Sequence, residues 1–205
     1  MTPGVVLATR NAGKVREIVP LFAAAGFAVR TLDEAGIRAE PNDDAIEAFD
    51  TFEANALAKA RHFFARSHGT PVVADDSGLM VVALNNDPGV RSKRWSGRTD
   101  LEGFALDTAN NALLVQSLRG VAERGARYVC VAAWCDGVRE VVARGETWGR
   151  ILEAPRGAGG FGYDPYFWSD DVGATFAEDS GDEKAAVSHR GRAFRELLRH
   201  VGVGR

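Results

Sequence analysis

Strands and helices alternate along this 205-residue sequence, and the pattern predicts an α/β fold with a mixed β-sheet flanked by helices. Three observations carry that expectation. Val5-Val6-Leu7 is a short β-branched apolar run that gives way at once to Val15, Ile18, Val19 and Phe22 at helical spacing. Phe52, Leu57, Ala60 and Phe64 repeat the helical spacing further on. Asp136-Gly137 then sits between two long strand-like runs, the strongest short hairpin signal in the sequence, so the sheet has antiparallel pairing as well.

Taken in order, the first strand ends in the polar turn from Thr9 to Gly13 and a helix follows, with Pro20 as a possible kink inside it. Phe27 to Leu32 reads as a second strand, and the acidic stretch Glu40 to Asp50 as a loop. Thr51 to Ser67 reads as a helix capped by Asp50 with Glu53. Pro71 precedes the strand Val72-Val73-Ala74, which runs into Asp75-Asp76-Ser77-Gly78, all residues that favour turns. Leu79 to Leu84 is then a separate strand, stopped by the turn formers Asn85 to Gly89. Asp100 to Leu118 reads as a helix, and Arg127 to Cys135 with Val138 to Glu146 as the hairpin arms. Ala154 to Gly162, with four glycines and a proline, is a loop, and Ser188 to Val201 closes the sequence as a helix. No repeat, low-complexity tract or linker interrupts it, so residues 1–205 are read as one domain.

Composition narrows the function. A net charge of −3 and a pI near 5.8 speak against a duplex nucleic-acid or membrane-surface binder, which is normally basic. No apolar run is long enough for a membrane span, and no secretory leader opens the sequence. Cys130 and Cys135 are too few for a disulfide scaffold or a zinc site, which makes a reducing, cytoplasmic setting the default.

Chemistry concentrates in a few segments. The turn Thr9-Arg10-Asn11-Ala12-Gly13-Lys14 joins a strand to a helix N-terminus, where free amides and the helix dipole favour an anion and Lys14 adds a full charge. It is not a P-loop, because Val15 stands where Ser or Thr would ligate Mg²⁺ and Ala8 where the leading glycine belongs. In Asp75-Asp76-Ser77-Gly78 successive side chains face opposite ways, so one aspartate enters a given site and the other supports it. Carboxylate and hydroxyl oxygens there suit Mg²⁺, although the same residues also simply end strands. Phe161 or Tyr163 in Gly159-Gly160-Phe161-Gly162-Tyr163-Asp164-Pro165 could stack on a base or anchor the loop in the core. Lys184, His189 and Arg190 lie in a basic segment that reads either as a phosphate contact or as a solvated face.

Together these segments closely resemble the dITP/XTP pyrophosphatases, the house-cleaning family of noncanonical purine nucleotide enzymes that includes inosine triphosphate pyrophosphatase. The match runs through Ala8 to Lys14, Thr51 to Ala56 with Lys59-Ala60, and Ala74 to Leu79. It continues in Pro88-Gly89 with Ser92, Gly159 to Pro165 and Glu183 to Ala193, in order across nearly the whole chain. The resemblance implies Mg²⁺-dependent hydrolysis of dITP, ITP and XTP between the α and β phosphates. It also implies an elongated two-lobed fold with a central cleft, and a homodimer. By motif matching, Thr9, Arg10, Asn11, Ala12, Gly13 and Lys14 bind the triphosphate, and Asp76 is proton acceptor and metal carboxylate. Ser77, Phe161, Gly162, Tyr163, Asp164, Lys184, His189 and Arg190 hold the substrate, and Glu47 is the second metal ligand. Around Glu47 the sequence departs from the family, with Ile46 and Phe49 where an acid and a glycine are usual, and Lys93 replaces a usual small residue. Two rivals stay open: a pyrophosphatase of different base preference, and a nucleotide-binding module in which the carboxylates only end a strand.

Overall fold

Residues 2–41, 43, 46–178 and 186–202 are described by a computed structural model. The first apolar run forms β1 (Gly4–Leu7), and α1 (Ala12–Ala24) starts immediately after the polar turn. Asn11 is its N-cap, its side chain accepting the Lys14 N–H, and α1 passes through Pro20 without ending. β2 (Ala28–Thr31) follows and pairs in parallel with β1, with Val5 opposite Val29. α2 (Phe52–Phe64) is capped by Thr51 rather than Asp50: the Thr51 hydroxyl accepts the Ala54 N–H, placing the cap one residue later than expected.

The next segment departs from the expected strand, turn and strand. Asp75-Asp76-Ser77-Gly78 does not end a strand; it lies inside a single continuous strand, β3 (Val72–Val81). β3 sits between β1 and the later strand β4 (Gly125–Cys135), so pairing on both sides overrides the turn preference of its residues. The expected strand Leu79 to Leu84 is therefore the end of β3 plus a 3₁₀ turn, Val82–Leu84, after which Asn85 and Asn86 take left-handed backbone angles. α3 (Gly103–Ser117) leads to β4, and a turn in which the Asp136 amide donates to the Arg139 carbonyl leads to β5 (Glu140–Ile151). β6 (Phe167–Ser169) and β7 (Ala174–Thr175) pair antiparallel in sequence, and α4 (His189–Val201) closes the described chain. The strand order is β2-β1-β3-β4-β5-β6-β7, a mixed sheet as the sequence indicates.

Two compact units share this chain, which passes from one to the other within β3, β4 and β5 and at the start of α4. The first contains residues 1–76, 130–145 and 190–205. Its core joins Val5, Leu7 and Val73 of the sheet to Ile18 and Phe22 of α1 and to Phe194 and Leu197 of α4. Phe22 meets Phe194 edge to face at 5.9 Å, a favourable aromatic geometry that ties α1 to α4. The second contains residues 77–129 and 146–189, around Leu79, Leu114, Tyr128, Phe167 and Phe176. Tyr128 stacks at 4.6 Å on the His189 ring.

Candidate active site

In the first unit, β1 delivers the turn that begins α1. The Thr9 hydroxyl accepts the Asn11 N–H at 3.2 Å, and Asn11 caps the Lys14 amide at 3.0 Å, which fixes the turn. Ala12 and Gly13 contribute first-turn amides, which have no intrahelical acceptors. Arg10 points elsewhere: its guanidinium donates to Asp33 at 2.7 Å and to the Ile37 carbonyl at 3.1 Å. It braces the segment leading to the acidic loop.

Lys14 reaches Asp75 of β3 at 2.9 Å. Asp75 is fully buried beside Arg190 of α4, whose Nε lies 3.5 Å away, and Arg190 also pairs with Glu17 of α1. Burial pushes the Asp75 carboxyl up, but Lys14, Arg190 and Lys59 outweigh it and hold the group well below the usual carboxylate range. Asp75 is thus the permanently charged partner around which three cations gather. Alternation along the strand turns its carboxylate away from the face that carries Asp76.

Asp76, on the other face of β3, has a different environment. The Asn55 amide of α2 donates to it at 2.9 Å, and Glu47 is its principal charged neighbour. Burial first, then the Glu47 charge, push its carboxyl up to about 6. Burial is the largest single influence on Glu47 and pushes it up, but Lys59, which donates to it at 2.6 Å and also to the Asp75 carbonyl at 3.3 Å, and then Lys14 together hold it below its usual range. Asn55 and Lys59 stand four residues apart on one face of α2 and reach both acids from it. Asn55 additionally grips the Phe49 amide and carbonyl, pinning the segment that carries Glu47.

Among the described residues no three His, Cys, Asp or Glu side chains form a metal-holding group. Glu47 and Asp76 nevertheless fit a hard divalent ion that keeps most of its waters and takes phosphate oxygens as further ligands. Their mutual repulsion raises Asp76, and a cation between the acids would relieve it. Charge balance agrees. Glu17, Glu47, Asp75 and Asp76 oppose Lys14, Lys59 and Arg190, four negative groups against three positive, so this cluster alone does not favour a polyanion. A divalent ion reverses that sign.

The remaining expected residues belong to the second unit. Ser77 is half-buried on β3. Tyr163 is buried in the core, its hydroxyl donating to the Ser92 carbonyl at 2.8 Å, so its ring anchors the loop and is not offered for stacking. Phe161 is the more accessible of the two aromatics. Asp164 accepts the Phe161 N–H at 3.0 Å and the Tyr128 hydroxyl at 3.2 Å. It packs so closely under Gly160 that a Cβ there would lie 2.3 Å from its Oδ2, which restricts the position to glycine. His189 is buried against Tyr128, and Lys184 lies outside the described residues.

Asn55, Lys59 and Glu17 are the functional candidates that sequence reading did not name as site residues. The i, i+4 spacing of Asn55 and Lys59 beside an acidic segment was the available signal for two of them. Glu17 carried none, since its partner is 173 positions away.

The Ham1 family model matches residues 5–200. The dITP/XTP pyrophosphatase of Burkholderia pseudomallei is 46% identical over 201 residues, spanning 97% of this chain and 93% of its own. That of Mycolicibacterium paratuberculosis is 49% identical over 201 residues, covering 97% and 95%. Among solved structures, a HAM1 protein from Coxiella burnetii superposes with a TM-score of 0.81 at 32% identity, covering 97% of this chain and 98% of the other. A nucleoside-triphosphatase / dITP/XTP pyrophosphatase from Mycobacterium abscessus gives 0.71 at 41% identity, covering 95% and 98%.

Proposed function

The chain belongs to the Ham1 family, and from that premise we propose that it is a Mg²⁺-dependent nucleoside-triphosphate pyrophosphatase acting on dITP, ITP and XTP. The products are the nucleoside monophosphate and pyrophosphate. The observation that carries the reading is the pair of neighbouring aspartates on β3, one held charged among three cations and the other raised beside Glu47. Such divergent environments mark carboxylates with different tasks.

In this mechanism Asp76 accepts a proton from a water molecule whose oxygen bonds to the α phosphorus. The α–β bridging bond breaks, its electron pair leaves with pyrophosphate, and the monophosphate carries the new oxygen. In the metal-free protein the Asp76 pKa is raised to about 6, so the side chain is still mainly ionised at neutral pH, the form that accepts a proton. Lys14 and the first-turn amides of Ala12 and Gly13 stabilise charge on the leaving group, a preorganised electrostatic role. Glu47 and Asp76 would hold Mg²⁺, which when bound supplies neutralisation of the phosphate charge. Thr9 and Asn11 shape the turn, while Lys59 and Arg190 hold Glu47 and Asp75 in their charged forms. Arg10, engaged with Asp33, contributes through the loop it braces.

Recognition of the base falls to Phe161, Gly162, Asp164 and His189, with Ser77 on the substrate side and Tyr163 as loop anchor. N–H donors facing a purine 6-oxygen are left unpaired by the 6-amino group of adenine, and mismatches of this kind discriminate by about 10⁴–10⁵. We place the enzyme in the cytoplasm as a homodimer of single-domain chains covering residues 1–205, with free nucleotides rather than nucleic acid or membrane as its partner. A panel of dITP, XTP, dTTP, UTP and ATP, scored for pyrophosphate against orthophosphate, tests the reading. Pyrophosphate from dITP and XTP with little from ATP is expected. Preference for a pyrimidine triphosphate, or orthophosphate as product, overturns it.

A further inference from the structure

The loop assigned to the base is not held by its own residues alone. α3 reaches it with two side chains one helical turn apart, Asp107 and Asn111. Asp107 Oδ2 accepts the Gly162 N–H at 2.8 Å, and Asn111 Nδ2 donates to the Gly162 carbonyl at 2.9 Å. Both backbone polar groups of one residue are therefore gripped from a single helix face, at a glycine with φ of +64°. The clamp is selective in its chemistry: one prong is an acceptor for the Phe161–Gly162 peptide N–H and the other a donor to the Gly162–Tyr163 peptide carbonyl, so it fixes the two peptide units on either side of the Gly162 Cα at once. Asn111 is buried, and its Oδ1 makes no hydrogen bond among the described residues, so the contact with Gly162 is the bond that engages this amide there. From Gly162 the restraint passes to its neighbours. The Phe161 amide is held by Asp164, Asp164 by the Tyr128 hydroxyl, and the Tyr128 ring lies flat on His189.

We propose that Asp107 and Asn111 are positioning residues for base recognition, clamping Gly162 so that Phe161 and Asp164 are presented in one conformation. The inference rests on the nucleotide reading above and adds residues that no motif of the resemblance includes. Because the clamp acts on the base side, its loss costs affinity for a nucleotide and leaves binding of a bare phosphate chain unchanged.

The test compares Asp107→Ala, Asn111→Ala and the conservative Asp107→Asn with the unmodified chain. Three quantities are read: KM and kcat for dITP, the same for XTP, and inhibition by inorganic tripolyphosphate. Each alanine variant is expected to raise KM about tenfold for both nucleotides, the scale of one lost hydrogen bond to a buried group, with kcat within about twofold. The tripolyphosphate inhibition constant is expected to stay within about twofold. Asp107→Asn, whose amide oxygen still accepts the Gly162 N–H, is expected to keep KM near that of the unmodified chain. If Asp107→Ala does not fold, Asn111→Ala carries the test. An active unmodified chain with unchanged KM in the folded alanine variants overturns the inference alone, as does a parallel rise in KM and in the tripolyphosphate constant. Absence of pyrophosphate release by the unmodified chain overturns the functional reading and the inference with it.

Discussion

At the residue scale, the two adjacent aspartates of β3 show how environment divides one side-chain chemistry into two roles. The Asp76 pKa is raised from 3.8 to about 6, so folding favours its protonated form, and the ionised form weakens the fold. The sign follows directly: the penalty is absent below about pH 4, grows as pH rises through 6, and is complete above it. Asp76→Asn, which can still accept the Asn55 N–H, is therefore expected to stabilise the metal-free protein by roughly 2 kcal/mol at pH 7.5 and by nothing near pH 4. Urea titrations at the two pH values check this. The same variant is expected to lose about 10²–10⁴ in kcat, because it removes the proton acceptor together with one of the two carboxylates that would hold Mg²⁺. Lys14 behaves in the opposite sense. Asp75 is buried, and its lowered pKa makes its charge stabilising above the ordinary aspartate range, a contribution lost on acidification. Lys14→Ala removes the nearest cation, so a fall in stability of about 3 kcal/mol is expected together with a raised KM for dITP. Weakened binding without destabilisation would contradict the Lys14–Asp75 pairing.

At the level of elements, α2 is the platform that aims the acids. Thr51→Ala removes its cap and is expected to cost about 1 kcal/mol in a denaturant titration with kcat nearly unchanged. Asn55→Ala removes the hydrogen bond that lowers the Asp76 pKa and frees the Phe49 backbone next to the Glu47 segment. Its expected signature is an acidic limb of kcat/KM shifted to higher pH, which a purely structural cap mutation does not produce. Most elements were legible because their signals are local: the Asp136-Gly137 turn, the apolar period of α2, the strand-to-helix switch after Leu7. β3 was not. Asp, Ser and Gly in its middle read as a turn, and only the strands on either side keep them extended. That conflict between local preference and tertiary pairing falls on the proposed catalytic residues, where such conflicts are expected to concentrate. The Thr51 cap was missed by one residue because Asp50 and Thr51 are both competent caps and only the geometry chooses between them.

For the molecule as a whole, the motifs were legible in their order and the family follows from them, but the electrostatic circuit was not. Lys14 meets Asp75 and Glu17 meets Arg190 across separations that no local pattern encodes. Tyr163, an aromatic in a glycine-rich loop, looked equally suited to a base or to the core, and its buried hydroxyl contact with Ser92 decides for the core. The circuit has a global consequence. With four carboxylates against three cations it is not by itself attractive to a triphosphate, so chelation of divalent ions is expected to abolish turnover of dITP and added Mg²⁺ to restore it. The most direct test of the central claim, that Asp76 directs water to the α phosphorus, is hydrolysis of dITP in ¹⁸O-labelled water followed by mass spectrometry of both products. Label is expected in the monophosphate and not in the pyrophosphate. Label in pyrophosphate would place the attack at the β phosphorus and contradict the account.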